Sequence, residues 1–208
     1  MSYRGGRIDA LEPDVAGVPE PDQDITTHAT AFARQGFNGT EMIGLVACGH
    51  TFGSVQSSLF PDVVAANATD PKSETGASFD GSISKFDHSV AVEYIRGTTK
   101  NPLVVGMNAT KNSDARIFAS DGNTTMQAFA TDAGHFQRTC KGLFERMIDT
   151  VPKSVQLTEV IRPLKVKPRQ LKLTYLNNGT VQLSGEVRVR RQLVEGLPFP
   201  SHLGSAVV

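Results

Sequence analysis

One histidine of this chain stands where a protein can hold a metal ion. His50 directly follows the apolar stretch Met-Ile-Gly-Leu-Val-Ala-Cys-Gly of residues 42–49, and Thr51 comes next. A buried imidazole binds a metal through one ring nitrogen when the other nitrogen donates to an acceptor. The same position also suits a core histidine without a ligand. Whether His50 is a metal ligand or a core histidine therefore depends on which carboxylates the chain can place near it.

Three aspartates supply the chemistry that such a site needs. Asp121, in Ala-Ser-Asp-Gly, begins a predicted helix and is a natural acceptor for the far nitrogen of His50, which would raise the basicity of the ring. Asp80 and Asp87, with Ser82 between them, offer the oxygen ligands that Ca²⁺ prefers. Each aspartate also has a simpler explanation as a helix-capping or turn residue.

Helical periodicity predicts the elements that position these residues. Apolar residues recur at helical spacing between capping residues and Gly or Pro breaks. Asp24 is expected to cap the first of these helices, and Thr40 is expected to cap the helix that leads to His50. The predicted helices cover residues 24–35, 40–50, 87–97 and 121–152, and residues 54–85 and 98–120 are expected to be irregular.

The pattern changes after Pro152. Residues 155–161, 170–175 and 180–190 alternate apolar and polar side chains, and Asn177 to Gly179 form a turn signal between the last two. This predicts a small antiparallel β module over residues 153–195, followed by a tail over 196–208. We expect this module to be a fragment of a β-sandwich or a small domain that packs on the helical part. A carbohydrate- or surface-binding role is the alternative.

Composition narrows the class of protein. The 208 residues carry 21 basic and 21 acidic side chains, so no net charge favours nucleic acid or an anionic membrane. No apolar run is long enough to span a bilayer, and the N-terminus lacks the apolar segment of a signal peptide. Cys48 and Cys140 lie on apolar helical faces and are predicted to be buried free thiols.

The asparagines point to a secreted protein. Five of the eight stand in Asn-x-Thr sequons, where chance supplies about one. Each sequon is an acceptor for N-glycosylation on a secreted surface. We therefore expect secretion for a parent protein within which this chain begins, with chance occurrence as the alternative. The sequons are at Asn38, Asn67, Asn108, Asn123 and Asn178.

Taken together and in order, the motifs resemble the proximal half of the plant- and fungal-type haem peroxidases, most closely the secreted fungal enzymes. The resemblance runs from Gly6 to Pro152 and implies a mainly α-helical domain over residues 1–152. The motifs that carry it are Gly6–Asp9, Val18–Pro21, Phe32–Gly36, Leu45–Gly53, Phe79–Asp87 and Ser120–Asp121.

The resemblance implies a role for each candidate residue. His50 matches the proximal ligand to the iron of haem b (heme, iron protoporphyrin IX). Asp121 matches the catalytic carboxylate that accepts a hydrogen bond from this ligand, and Phe79 matches the aromatic ring beside it. A second metal site, for calcium, matches Thr51, Asp80, Ser82, the carbonyl of Lys85 and Asp87. The loop Val18–Pro21 matches one that flanks the haem edge.

The implied activity is one-electron oxidation of small phenol-like reductants by hydrogen peroxide, in peroxide removal and the response to oxidative stress. Gln56 stands where manganese peroxidases place an acid, and Leu45 stands where lignin peroxidases place tryptophan. The family's distal Arg-x-x-x-His helix precedes the Gly6–Asp9 motif, where only five residues remain. Little turnover is therefore expected from the isolated chain.

The other histidines, His28, His88, His135 and His202, match no distal position and are interpreted as surface or packing residues. The alternative for the whole chain is a non-catalytic helical remnant or binding module from a truncated gene model. The oligomeric state stays open.

Overall fold

The computed structural model describes residues 2–12, 17–65, 76–82 and 84–189. The chain forms two compact units, residues 1–159 and 160–208. Within the described residues, the fold is mainly α-helical with two small antiparallel sheets, which confirms the predicted fold class. The helices are α1 (Ile25–Arg34), α2 (Gly39–Gly49), α3 (Ser89–Arg96), α4 (Pro102–Val105), α5 (Ser113–Ala119), α6 (Thr124–Thr131) and α7 (Ala133–Asp149).

Capping contacts fix where the first two helices begin. Asp24 caps α1 by accepting a hydrogen bond from the amide of Thr27 at 2.7 Å, as predicted. The cap of α2 is Asn38 and not the predicted Thr40. Asn38 and Glu41 exchange side chain to main chain hydrogen bonds of 2.9 and 3.0 Å, a capping box that satisfies two amides that the helix leaves free.

The helix α2 runs through the core of the first unit. Its buried residues face several directions, which agrees with its uninterrupted apolar sequence. Gly44 allows α7 to come close, since a Cβ atom at this position would lie 2.7 Å from Leu143 Cδ1. The buried core joins α2 to α3, α5, α6 and α7 through Met42, Ile43, Ala47, Val90, Ala91, Ile117, Phe118, Met126, Phe129 and Phe136.

A disulfide also joins α2 to α7. Cys48 and Cys140 are both fully buried, and their Cα atoms are 5.6 Å apart. The prediction of free thiols is therefore wrong. Each cysteine does lie on an apolar helix face, but the two faces pack against each other and bring the sulfur atoms together.

Two further predictions are wrong: that residues 98–120 are irregular, and that residues 155–161 form a strand. Residues 98–120 contain α4, α5 and a 3₁₀ turn at Ala109–Lys111, which short capped segments form without a long helical period. Residues 155–161 form no strand. Their main chain instead meets the N-terminal segment, where the amide of Thr158 donates to the carbonyl of Gly5 at 3.0 Å. Residues 153–159 lie in the first unit.

A small sheet in the first unit follows His50. Its strands β1 (Ser54–Gln56) and β2 (Gly76–Ser78) pair antiparallel, with Val55 opposite Ala77. Gly53 makes the turn into β1 with a φ of +91°, a left-handed conformation that favours glycine. This sheet places the chain so that Phe79 follows β2 directly.

The second unit contains a β-hairpin formed by β3 (Val166–Tyr175) and β4 (Val181–Val189). Leu173 pairs with Leu183 and Tyr175 with Val181, and a bulge between Arg169 and Lys172 shifts the register. This confirms the predicted hairpin. The predicted tail, residues 196–208, lies outside the described residues.

Candidate functional site

A charged hydrogen bond orients His50 at the end of α2. His50 is the C-terminal capping residue of this helix. Its Nδ1 atom lies 2.6 Å from Asp114 Oδ2, and the Asp114 side chain is almost completely buried. With Nδ1 engaged, the imidazole has Nε2 left for a ligand. Nε2 makes no hydrogen bond to any residue that the structure describes.

Asp114 is itself held by a second buried residue. It lies in the first turn of α5, where the helix dipole favours a negative charge. The same Oδ2 atom accepts a hydrogen bond of 2.8 Å from Asn101 Nδ2, and Asn101 is fully buried. Asn101 in turn caps α4 by accepting from the amide of Leu103 at 2.8 Å. The Ser113 hydroxyl contacts the other oxygen, Oδ1, at 3.5 Å, so the carboxylate is held by three side chains.

The predicted partner of His50, Asp121, has a different role. Its Oδ2 atom accepts hydrogen bonds from the amide of Thr125 at 3.0 Å and from the Thr125 hydroxyl at 2.6 Å, so it contacts the first turn of α6 and not His50. The assignment of Asp121 as the histidine's acceptor is wrong. The dipeptide Ser-Asp occurs twice, at residues 113–114 and 120–121, and the structure gives the role at His50 to the first copy.

Phe79 stacks on the imidazole of His50. The ring centroids are 3.9 Å apart and the planes differ by 7°. Stacking on one side and the carboxylate at Nδ1 together restrict rotation of the ring. The sequence prediction that places Phe79 against His50 agrees with this geometry.

His50 and Asp114 line a cleft of about 410 Å³. Most of the lining is apolar, and the predicted Val18–Pro21 loop contributes to it. A largely apolar cleft with a few convergent polar groups is the usual form of a small-molecule site. The apolar lining residues are Val18, Pro19, Pro21, Phe32, Val46, Val55, Phe60, Val63, Leu103 and Ile117.

A second histidine, His28 of α1, also lines this cleft. Its side chain is 1% exposed, and neither ring nitrogen has a hydrogen-bond partner among the described residues. Burial lowers its pKa, and the neighbouring Arg116 lowers it further. The carbonyl of Gln23 favours protonation but does not reach hydrogen-bonding geometry. His28 is therefore neutral at pH 7, and sequence analysis gave no sign of its place in the cleft wall.

Three of the predicted calcium ligands meet in one loop. Ser82 Oγ lies 2.9 Å from Asp87 Oδ1 and 3.3 Å from Asp80 Oδ1, although its single proton can serve only one of them. Asp80 is 7% exposed, and its Oδ2 atom is buried without a hydrogen-bond partner among the described residues. Burial raises the pKa of Asp80, and the nearby charge of Asp87 adds to this. For Asp87, hydrogen bonds from Ser89 and Ser82 outweigh the effect of burial and lower the pKa.

The other two predicted ligands make contacts of their own. Thr51 is buried, and its hydroxyl donates to the carbonyl of Cys48 at 2.9 Å. The amide of Lys85 donates to the carbonyl of Ser82 at 2.8 Å, which makes a tight turn in the loop. Over the described residues, no group of three or more His, Cys, Asp or Glu side chains is arranged to hold a metal.

Comparison with known protein families identifies the family of this chain. Residues 1–144 match the peroxidase family. The chain therefore belongs to that family, in agreement with its resemblance to the plant- and fungal-type haem peroxidases.

A protein from Arthroderma benhamiae, described as a WSC domain-containing protein, is 39% identical to this chain over 193 residues. The match covers 91% of the chain and 26% of that protein's length. The chain thus spans about a quarter of this relative. Across the described ranges, no helix is long and apolar enough to cross a membrane.

Proposed function

We propose that the cleft beside His50 holds one face of a haem group, with His50 Nε2 as the proximal ligand to iron. The observation that carries this proposal is the hydrogen bond between His50 Nδ1 and the buried Asp114 carboxylate, because it leaves Nε2 without a partner among the described residues, on a ring that Phe79 stacks against on one face. The apolar cleft suits a flat hydrophobic macrocycle. Bound haem would supply the redox chemistry by which peroxide oxidises a second substrate.

The residues of this chain set the properties of that ligand. Asp114 accepts a hydrogen bond from the Nδ1–H group of His50. This bond makes the imidazole a stronger electron donor and fixes its tautomer. Asn101 holds the carboxylate so that it cannot turn away. Phe79 prevents the ring from rotating. Asp114 takes the role that sequence analysis gave to Asp121.

The proposed activity of the complete protein is oxidation of small phenol-like reductants by hydrogen peroxide, in peroxide removal under oxidative stress. The Val18–Pro21 loop in the cleft lining supports an approach of small reductants at the haem edge. A non-catalytic helical module is the second candidate, and the match of most of the chain to the peroxidase family argues against it.

Haem titration of the purified chain tests the ligand assignment. We expect a Soret band with saturable binding for the wild-type chain, and loss of the histidine-ligated spectrum in His50→Ala. His135→Ala is the matched control, because His135 is an exposed histidine of α7. A wild-type chain that gives no Soret band, or a His50→Ala variant with an unchanged spectrum, would overturn the proposal.

We also propose that Asp80, Ser82 and Asp87 bind Ca²⁺. The two carboxylates are linked by one hydroxyl, and one of their oxygens, Asp80 Oδ2, is buried without a partner among the described residues. A hard cation would complete this set of oxygen ligands. Thr51 and the carbonyl of Lys85 remain proposed ligands. The loop connects β2 to α3, so a bound ion would fix the segment that carries Phe79.

Calcium titration monitored by thermal unfolding tests this site. Calcium at 100 times its dissociation constant stabilises a protein by about 2.7 kcal/mol. We expect a rise in Tm for the wild-type chain and none for Asp87→Asn. Asp22→Asn, an exposed aspartate on a different surface loop, should respond as the wild type does. Equal calcium responses in wild type and Asp87→Asn would exclude the site.

The complete protein is proposed to be a secreted glycoprotein, on the strength of its five sequons. Four of these lie in the described residues, and Asn67 lies outside them. We also propose that the protein does not bind nucleic acid; the support for this is the equal number of basic and acidic side chains.

A further inference from the structure

Two of the sequons share one local geometry. Asn108 Oδ1 accepts hydrogen bonds from the Thr110 amide at 3.1 Å and from the Thr110 hydroxyl at 2.7 Å. Asn178 Oδ1 accepts from the Thr180 amide at 3.0 Å and from the Thr180 hydroxyl at 2.6 Å. In both sequons the threonine hydroxyl therefore contacts the amide of the acceptor asparagine. The Nδ2 atoms of Asn108 and Asn178 make no hydrogen bond to any described residue.

The sequon at Asn38 is arranged differently. Asn38 is locked in the capping box with Glu41, where its Oδ1 accepts the Glu41 amide at 2.9 Å. Thr40 belongs to the first turn of α2, and its hydroxyl makes no hydrogen bond to Asn38. This sequon is helical from its second residue onward.

The sequon at Asn123 is also engaged elsewhere. Asn123 Oδ1 accepts the Tyr94 hydroxyl at 2.8 Å. The hydroxyl of Thr125 donates to Asp121 Oδ2 at 2.6 Å, and Thr125 is 9% exposed. Asn123 itself has a φ of +65°. The Thr125 hydroxyl therefore does not contact the side-chain amide of Asn123, because each is hydrogen-bonded to another residue.

We propose that Asn108 and Asn178 are the residues that carry N-linked glycans among the four described sequons, and that Asn38 and Asn123 stay largely unmodified. In the reaction, a bond forms between Nδ2 and C1 of an oligosaccharide. The bond from C1 to the pyrophosphate of a lipid-linked donor breaks, the lipid pyrophosphate leaves, and a base of the transferase takes one amide proton.

The contacts at Oδ1 favour this step. When Nδ2 loses a proton, negative charge develops on the amide oxygen, and two donors aimed at that oxygen stabilise the charge. The contacts span only three residues, so they form in a nascent chain before long-range packing. The competing contacts of Asn38 with Glu41, and of Thr125 with Asp121, are local as well and form equally early.

Exposure alone does not separate the four sites, since Asn38 and Asn123 are exposed as well. Asn178 is exposed in the turn between β3 and β4. Asn108 is half-buried, but its neighbours Met107, Ala109 and Thr110 are exposed. The proposal rests on passage through a secretory pathway and is independent of haem binding.

The test secretes this chain from a yeast host behind a cleavable signal peptide. Because the signal is supplied, the result does not depend on the natural location of the protein. Peptide N-glycosidase converts each glycosylated asparagine to aspartate, and peptide mass mapping then gives the occupancy of each site. We expect occupancy at Asn108 and Asn178 to exceed that at Asn38 and Asn123 by several-fold.

Variants test the physical cause. Asp121→Ala frees the Thr125 hydroxyl and is expected to raise occupancy at Asn123. Glu41→Ala removes the carboxylate half of the capping box but keeps the Glu41 amide on Asn38 Oδ1, so occupancy at Asn38 should stay low. Thr110→Ser and Thr180→Ser keep the hydroxyl and should retain more than half of the occupancy. Equal occupancy at all four wild-type sites, or none at Asn108 and Asn178, would overturn the proposal.

Discussion

The two units of this chain are specified in different ways. In the helical unit, Asp114 contacts His50 and Asn101, and Cys48 is bonded to Cys140, so its order depends on residues far apart in sequence. In the hairpin, all nine residues of β4 are exposed, and each strand pairs only with its neighbour along the chain. An isolated two-stranded hairpin is marginally stable. Stability and candidate chemistry are therefore both concentrated in the helical unit.

The largest expected effect comes from removing the disulfide. A bond that closes a loop of 92 residues stabilises a protein by about 4.6 kcal/mol in the chain-entropy description. The double variant Cys48→Ala/Cys140→Ala should lose about that much free energy of unfolding, measured with guanidinium. Dithiothreitol should lower the stability of the wild type and leave the double variant unchanged. A loss below about 1 kcal/mol would show that the helical unit does not depend on this link.

The next largest effect separates Asp114 from Asp121. Asp114→Ala leaves the amide of Asn101 buried without its acceptor, which should cost about 2–3 kcal/mol of unfolding free energy. Asp121→Ala removes the acceptor of the Thr125 amide and hydroxyl in the first turn of α6 and should cost about 1 kcal/mol. Urea unfolding of both variants measures the difference. A greater loss in Asp121→Ala would contradict the buried network at His50.

His28 is predicted to destabilise the helical unit. His28→Leu removes two buried nitrogen atoms that have no hydrogen-bond partner in the part of the chain that the structure describes, and it should raise the unfolding free energy by about 1 kcal/mol at pH 7. Because burial lowers the pKa of His28 in the folded chain, the unfolded chain takes up a proton at a higher pH than the folded chain does. Wild-type stability should thus be complete above the ordinary histidine pKa of about 6.5 and fall as the pH drops below it.

The His28→Leu variant should lack this part of the pH dependence. Thermal unfolding measured between about pH 5 and pH 8, the range in which histidine titrates, tests this. His135→Leu, at an exposed position of α7, should keep it. A His28→Leu variant that is less stable than wild type would mean that the imidazole has a favourable role in the folded chain.

The smallest effect is expected in the hairpin. Leu173 is 71% exposed, and Leu173→Ala should change the unfolding free energy by less than about 0.5 kcal/mol. Leu143, 6% exposed, is the matched buried leucine, and Leu143→Ala should cost about 2–5 kcal/mol. Comparable losses in the two variants would show that the hairpin is as tightly packed as the helical unit.

Residue patterns predicted the parts of the site that depend on local sequence. The cap of α1, the position of His50 after an apolar helix, and the hairpin all follow from contacts within a few residues. Asp114 could not be distinguished from Asp121, because both follow serine and both precede helical residues. The disulfide escaped prediction for a related reason, since two apolar helix faces do not reveal that they pack together.

The disulfide also has a topological consequence. His50, Phe79, Asp80, Asn101 and Asp114 all lie between Cys48 and Cys140 in sequence. A protease that cuts once anywhere in this interval opens the ring but releases no fragment, since both pieces stay covalently attached. The proposed ligand, its acceptor and its stacking partner would leave the molecule only after reduction or a second cut.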